Sequence, residues 1–168
     1  MSEWDTYIDQ IINKYDFATN EIVKTNMCTA AAIYGNDGSC WAYSAAFPEL
    51  TTYDFVVEGM CESENQTVTV NEVDAATKVA NGDRKPCGAA GIRLGNQKFM
   101  FIAHDDTTKT SQCSKSGGGG ACLSNLKDAT VIAFWDKEGK MGDGQPQTTA
   151  LCAEQVAVMT AFLAEQGF

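Results

Sequence analysis

His104 is the only histidine in the chain, and Asp105 and Asp106 follow it directly. A histidine beside carboxylates can act as a general base, and any of seven cysteines, Cys28, Cys40, Cys61, Cys87, Cys113, Cys122 and Cys152, could supply a nucleophile to it. Such a thiol-dependent hydrolase would need one cysteine of lowered pKa close to the imidazole. No local signature singles one out, so His104 reads more simply as a polar residue at the end of a strand. Two adjacent carboxylates without further ligands at useful spacing belong to a solvated loop rather than a metal site. The cysteines are odd in number, widely spread and never paired as C-x-x-C, which suggests neither a zinc site nor a disulfide framework. They read as reduced thiols, several of them buried as small apolar side chains. No catalytic residue, metal or cofactor is expected.

The run Ser116-Gly117-Gly118-Gly119-Gly120 could offer backbone N–H groups to an anion. It lacks the G-x-x-x-x-G-K-[ST] pattern and precedes a strand rather than a helix, so a turn, or a place where another backbone comes close, fits better. Trp4 and Tyr7 are of a different kind. They fall in the first turn of an expected helix, where full burial is hard, and each combines a flat apolar face with a polar tip. Periodicity alone favours simple core packing for any aromatic in an amphipathic helix, and these two features weaken that reading toward a half-exposed binding surface.

Several elements must position these groups. Ser2 with Asp5 makes a capping box, and Trp4, Tyr7, Ile8, Ile11, Ile12 and Tyr15 recur at spacings of three and four, predicting an amphipathic helix. Cys28 to Tyr34, a Gly35-Asn36-Asp37-Gly38 turn and Cys40 to Tyr43 predict a hairpin. A second hairpin joins 91–94 to 97–102 through Gly95-Asn96, a pair suited to positive φ angles. Between them, Tyr53 to Met60 and Asn71 to Asn81 read as short helices, the second ended by Gly82, with strand character at Thr67 to Val70. Ala121 to Ser124 and Ala129 to Trp135 read as strands, followed by a polar loop from Asp136 to Gln147. A last helix carries Cys152, Val156, Met159 and Leu163 on one stripe, flanked by Leu151, Val158 and Phe162, with Gly167 as its stop. Tight turns cannot join parallel strands, so the fold class is α+β with a mainly antiparallel sheet covered by terminal helices.

The chain has 168 residues, 44% of them apolar and 20% charged, with 12 basic against 22 acidic side chains for a net charge of −10. That supports one folded domain over 1–168 and argues against a nucleic-acid partner, whose phosphates need clustered Lys and Arg. No apolar stretch approaches the ~20 residues of a spanning helix, and the start lacks the features of a secretory signal, so a cytoplasmic protein is expected. Asn65-Gln66-Thr67 fits the glycosylation pattern but carries no weight in that setting.

Taken in order, the motifs resemble the profilin family of actin-monomer-binding proteins. SEWDTYID is similar to that family's W-x-x-Y start, and AAAIYGNDGSCWAYSAAFPEL resembles the first hairpin of its plant-type members. GIRLGNQKFMFI looks like its G-x-x-L-G-G-x-K-[YF] hairpin with Asn96 in place of the second glycine; KSGGGG resembles its later glycine turn, and FLAEQGF its ending. The resemblance implies a central antiparallel sheet with the N- and C-terminal helices together on one face and short helices on the other. It implies an insertion within 58–90, as in extended protist forms, and an enlarged loop at 136–149. Carried over residue by residue, a groove for proline-rich ligands comprises Trp4, Tyr7, Trp41, Phe162 and Phe168, and an actin surface involves Lys98, Lys115 and Asn125. Aligned backwards from Phe162, the last helix puts Ala150 and Ala153 at further actin positions, whereas alignment from Gly144 demands an insertion; that register stays open. Implied partners are monomeric actin and proline-rich proteins such as formins, in a cytoskeleton-associated, non-enzymatic role regulating actin polymerisation and nucleotide exchange. An adaptor that keeps the proline groove with weak or no actin binding is the alternative. The segment 110–116 contains a single lysine, Lys115, with Lys109 just before it, so phosphoinositide binding is expected to be weak or absent.

Overall fold

A computed structural model describes residues 2–168. Helix α1, Glu3–Ile12, begins at the expected capping box: Ser2 Oγ accepts from the Asp5 N–H at 3.3 Å and the Asp5 carboxylate accepts from Ser2 N at 2.9 Å. The carboxylate also accepts from Ser2 Oγ at 3.0 Å, and the two bonds it accepts, from the Ser2 backbone first and the hydroxyl second, hold the Asp5 carboxyl below its ordinary pKa. The helix stops earlier than its periodicity suggests. Asn13 turns to extended backbone, its side-chain Nδ2 donating to Asp9 Oδ1 at 2.9 Å and its Oδ1 accepting from Asn26 N at 3.0 Å. Tyr15 therefore sits not on the helix but in a strand pair that the sequence reading lacked, β1 (Lys14–Asp16) with β2 (Glu21–Lys24).

The main sheet is built from β3 (Ala30–Gly35), β4 (Cys40–Tyr43), β7 (Ile92–Leu94), β8 (Gln97–Asp105), β9 (Thr110–Lys115), β10 (Gly119–Asn125) and β11 (Ala129–Asp136). Its order is β4-β3-β11-β10-β9-β8-β7, antiparallel throughout. Five consecutive strands thus meander from β7 to β11 and close onto the earlier hairpin, as α+β patterning requires. The turn between β7 and β8 is the expected Gly95-Asn96, with φ of 60° and 59°.

Both faces are covered. Ala31, Ile33, Cys122, Val131 and Ala133 face α1 and α3 (Thr149–Glu165), while Ala30, Ala32, Tyr34, Ala121, Leu123 and Ile132 face the other side, against α2 (Glu72–Ala80). That one-in, one-out alternation makes a sheet buried on both faces, with β3 buried along its whole length. The terminal helices share a face partly because Gln155, buried in α3, donates to the Gln10 and Ile11 carbonyls at 3.4 and 3.1 Å. These belong to the last turn of α1, which has no intrahelical donors for them. Under α3 the Cys28 and Cys152 thiols meet at 3.6 Å, and burial pushes the Cys152 thiol well up. Five of the seven cysteines are buried; Cys40 and Cys61 are exposed.

A second prediction is overturned. Residues 53–60 do not form a helix: Thr52–Val57 is strand β5, paired with β6 (Gln66–Asn71) in a separate hairpin. Tyr53, Phe55 and Val57 turn inward while Thr52, Asp54 and Val56 are exposed, so the period is two rather than 3.6. Helix α2 follows as expected, with Asn71 as its N-cap. Its Glu72, fully buried, accepts from Thr51 N (2.9 Å), Tyr53 Oη (3.2 Å) and Asn96 N (2.8 Å). One carboxylate thus ties the β5–β6 hairpin to the β7–β8 turn.

The polar loop 136–147 is anchored by buried Gln147, whose amide accepts from Thr29 Oγ1 (2.7 Å) and Asp136 N (3.1 Å) and donates to the Asn26 carbonyl (2.8 Å). In the glycine run, a Cβ on Gly120 would collide with the Cys113 carbonyl of β9, so the close-approach reading holds there. No helix among the described residues is long and apolar enough to cross a membrane.

Candidate functional site

Trp4 and Tyr7 lie one helical turn apart on the exposed shoulder of α1, their ring centroids 5.5 Å apart and edge to face. Strand β4 brings Trp41 to 4.8 Å from Trp4. Helix α3 supplies Phe162, 6.0 Å from Tyr7. The carboxyl end supplies Phe168 through a specific stop: Gly167 takes φ of 96°, Phe168 N donates to Leu163 O and Gly167 N to Ala164 O, both at 3.1 Å. This is a Schellman motif, which only a residue tolerant of positive φ makes cheaply, and it turns the Phe168 ring back to 4.8 Å from Trp4. All five rings predicted for the proline groove are therefore in one continuous patch, with Trp4 at its hub.

The rings are held without being submerged. Trp4, Tyr7, Trp41 and Phe162 are half-buried against the core, and Phe168 is exposed. Tyr7 Oη donates to Glu3 Oε1 at 2.8 Å, and that bond, first among the causes, raises the phenol pKa. Edge-to-face pairs each contribute roughly 0.5–1.5 kcal/mol beyond burial, so the patch is a preformed surface rather than a set of loose side chains.

The patch also continues beyond the sequence prediction. Phe17, just after β1, stacks on Phe162 at 4.5 Å with planes 11° apart, and Tyr15 stands 5.2 Å from Phe17. The missing signal was the β1–β2 hairpin itself, without which Tyr15 reads as the last apolar position of α1.

The three residues carried over for actin do not converge. Lys98 is exposed on β8 beside buried Phe99, hence on the α1/α3 side of the sheet, directly across from Arg93. Met100 shares its side and is 66% exposed; Ile102, near a bulge between Phe101 and Ala103, is 56% exposed. Lys115 is two residues past Cys113, which faces α2, so it shares the α2 side, opposite to Lys98, and its ammonium is 3.4 Å from Asp136 Oδ2. Asn125 also faces α2 and uses both polar ends: Nδ2 donates to Thr77 O at 3.2 Å and Oδ1 accepts from Thr130 Oγ1 at 2.7 Å. Of the other basic side chains, Arg93 lies over the Phe55 ring at 3.8 Å and Arg84 over Phe101 at 5.1 Å. Ala150 and Ala153 fall in the first turns of α3, which Thr148 caps.

His104 gives no nucleophilic centre. Its Nδ1 is 2.8 Å from Ser111 Oγ and its Nε2 3.5 Å from Asp106, a constellation that superficially resembles a triad. Ser111, however, is fully buried and its hydroxyl donates to the Val79 carbonyl, so it accepts from Nδ1–H and fastens β8 and β9 to α2.

A family model described as Profilin matches residues 2–168. The chain belongs to the profilin family. Among curated relatives, profilin of Tetrahymena pyriformis is 26% identical over 170 residues, covering the whole of both chains. Among solved structures, Acanthamoeba castellanii profilin II superposes with a TM-score of 0.62 at 22% identity, over 99% of this chain and 100% of that one. Mouse profilin IIa, solved in complex with a double repeat from the FH1 domain of mDia1, gives 0.58 at 19% identity with the same coverage. The profilin fold is thus shown, with the sheet between terminal helices and α2 as the motifs implied, and the family is one of non-enzymatic actin-binding proteins.

Proposed function

We propose that this profilin-family chain binds proline-rich ligands on the patch of Trp4, Tyr7, Trp41, Phe162 and Phe168, binds monomeric actin elsewhere, and so delivers actin to proline-rich partners such as formins. The observation that carries this reading is the continuity of the five rings, drawn from both chain ends and β4. A polyproline II helix is already extended and carries no internal hydrogen bonds, so its rings pack between such aromatic ridges with little ordering cost while Trp N–H groups donate to its carbonyls. The complex of mouse profilin IIa with a formin FH1 repeat supports the partner class.

The actin surface is the exposed face of β8 around Lys98, Met100 and Ile102. Lysine there orients an acidic monomer, and the apolar side chains supply the contact area. Binding to that face shifts actin between its open and closed forms and speeds nucleotide exchange. Lys115 and Asn125 contribute less, being engaged with Asp136, Thr77 and Thr130. The chain works in the cytoplasm on the cytoskeleton. It binds phosphoinositide surfaces weakly, because its net charge is −10 and its loop lysines are few.

A second reading, an adaptor with the proline groove and little actin affinity, is favoured by the dispersal of Lys98, Lys115 and Asn125 over two sheet faces. One experiment separates the two: retention of the protein on polyproline resin together with pelleting or native-gel capture by monomeric actin. Binding to both supports the full reading, resin alone supports the adaptor, and failure on resin removes the groove.

A further inference from the structure

We infer that the ring row continues past the five-residue patch into the β1–β2 hairpin, where Phe17 and Tyr15 form an additional subsite that selects longer proline-rich segments. The inference rests on the proline-groove reading and extends it to residues that no motif singled out.

The geometry is that of a continued surface. From Tyr7 to Phe162 the step is 6.0 Å, from Phe162 to Phe17 4.5 Å, and from Phe17 to Tyr15 5.2 Å. The two steps from Tyr7 to Phe17 together reach at most a little more than one polyproline II turn, three residues and roughly 9 Å. Phe17 keeps 37% of its surface exposed although it stacks on Phe162, so one of its sides is left for a ligand. Ile22, the cross-strand partner of Tyr15, is 51% exposed and widens the same ribbon with apolar surface. On a chain of net charge −10, such a run of exposed rings and aliphatics contiguous with a binding patch is better matched to an apolar, uncharged helix of prolines than to a charged partner.

The subsite is also positioned rather than loose. Lys14 pairs with Glu154 of α3 at 3.2 Å, and Gly142 N donates to Thr25 O at 3.0 Å just beyond β2, so the hairpin is fastened at its base. Its turn is fixed by Asp16, whose carboxylate accepts from Ala18 N at 2.9 Å, and by the bond from Tyr15 Oη to the Asn20 side chain. A preformed platform of this kind adds affinity for each further turn of ligand with little ordering cost on the protein's side.

The experiment titrates two synthetic peptides, one of about six prolines and one of about fourteen, into the full chain, following Trp fluorescence or heat. Phe17→Ala should weaken the long peptide about fivefold or more and leave the short one unchanged. Phe17→Tyr, which keeps a ring, should restore the long-peptide affinity. Equal weakening for both peptides would mean that Phe17 only supports Phe162, and no change would mean that the ligand stops at the patch; either overturns the subsite. Tighter binding of both would overturn it too, showing Phe17 to be a cover over Phe162. If the wild-type chain binds neither peptide, the proline groove itself fails, and the subsite with it.

Discussion

The five aromatic residues and the three actin residues were carried over from the same resemblance, yet the fold treats the two sets in opposite ways. Trp4, Tyr7, Trp41, Phe162 and Phe168 come from three distant parts of the chain and converge, because α1 and α3 lie on one side of the sheet and a Schellman turn folds the last residue back. Lys98, Lys115 and Asn125 come from neighbouring strands and diverge, because strand parity assigns each side chain to a face. Large rings on packed helices have one place to go. Polar residues on strands depend on a count of one, and a shift of a single residue exchanges the faces.

The comparison is broken most directly at its hub. Trp4→Ala removes the ring that meets Tyr7, Trp41 and Phe168, and it should weaken polyproline binding by about 2 kcal/mol or more, roughly thirtyfold, with actin affinity unchanged. Peptide titration of the variant beside wild type, with circular dichroism to verify the fold, checks it; wild-type affinity would remove Trp4 from the site.

Much of the patch was legible beforehand, for physical reasons. A helix start that carries Trp4 and Tyr7, a stripe of Cys152, Val156, Met159 and Leu163 and a stop at Gly167 are all local signals, and each is found, although only Trp4 falls in the first turn and Tyr7 lies one turn on. The same locality hid other parts. Strand β9 is polar, and it is held by inward bonds such as Ser111 to the Val79 carbonyl that no hydropathy pattern reports. Strand β5 was read as helix because Tyr53, Phe55 and Val57 alternate over only a few residues. Phe17 joins the patch through the undetected β1–β2 hairpin, and the dispersal of Lys98, Lys115 and Asn125 follows from pairings that sequence spacing does not contain.

The two surfaces also differ in what supports them, which a buried variant can expose. Glu72→Gln keeps the shape but loses the charged acceptor for Thr51, Tyr53 and Asn96, so stability should fall by about 1–2 kcal/mol, a few degrees in melting temperature. The loss falls on the turn that leads into Lys98, so actin binding should weaken while polyproline binding is retained. Equal loss of both would show the two surfaces to be one cooperative unit.

Within the β8 face, Lys98→Glu should reduce monomer affinity several-fold, about 1 kcal/mol, and reduce it less at high salt. Lys115→Glu should have a smaller effect, since the partly exposed pair with Asp136 is itself worth under about 1 kcal/mol and lies on the other side of the sheet. Competition binding with labelled actin monomers ranks the two, and a larger effect at Lys115 would move the actin surface to the α2 side. The smallest effect concerns membranes: co-sedimentation with phosphoinositide vesicles at physiological salt should stay near background. Salt-resistant pelleting would reveal a basic cluster around Arg84, Lys85 and Arg93.

The separation of the two surfaces is tested most directly by amide and indole chemical-shift mapping of the isotopically labelled chain while a polyproline peptide is added to saturation. The shifts should concentrate on the Trp4 and Trp41 indoles, the amides around Tyr7 and the last turn from Phe162 to Phe168, with residues 97–105 of β8 unmoved. Shifts centred on β8, or none at saturating peptide, would contradict the assignment of the aromatic patch as the proline-binding surface.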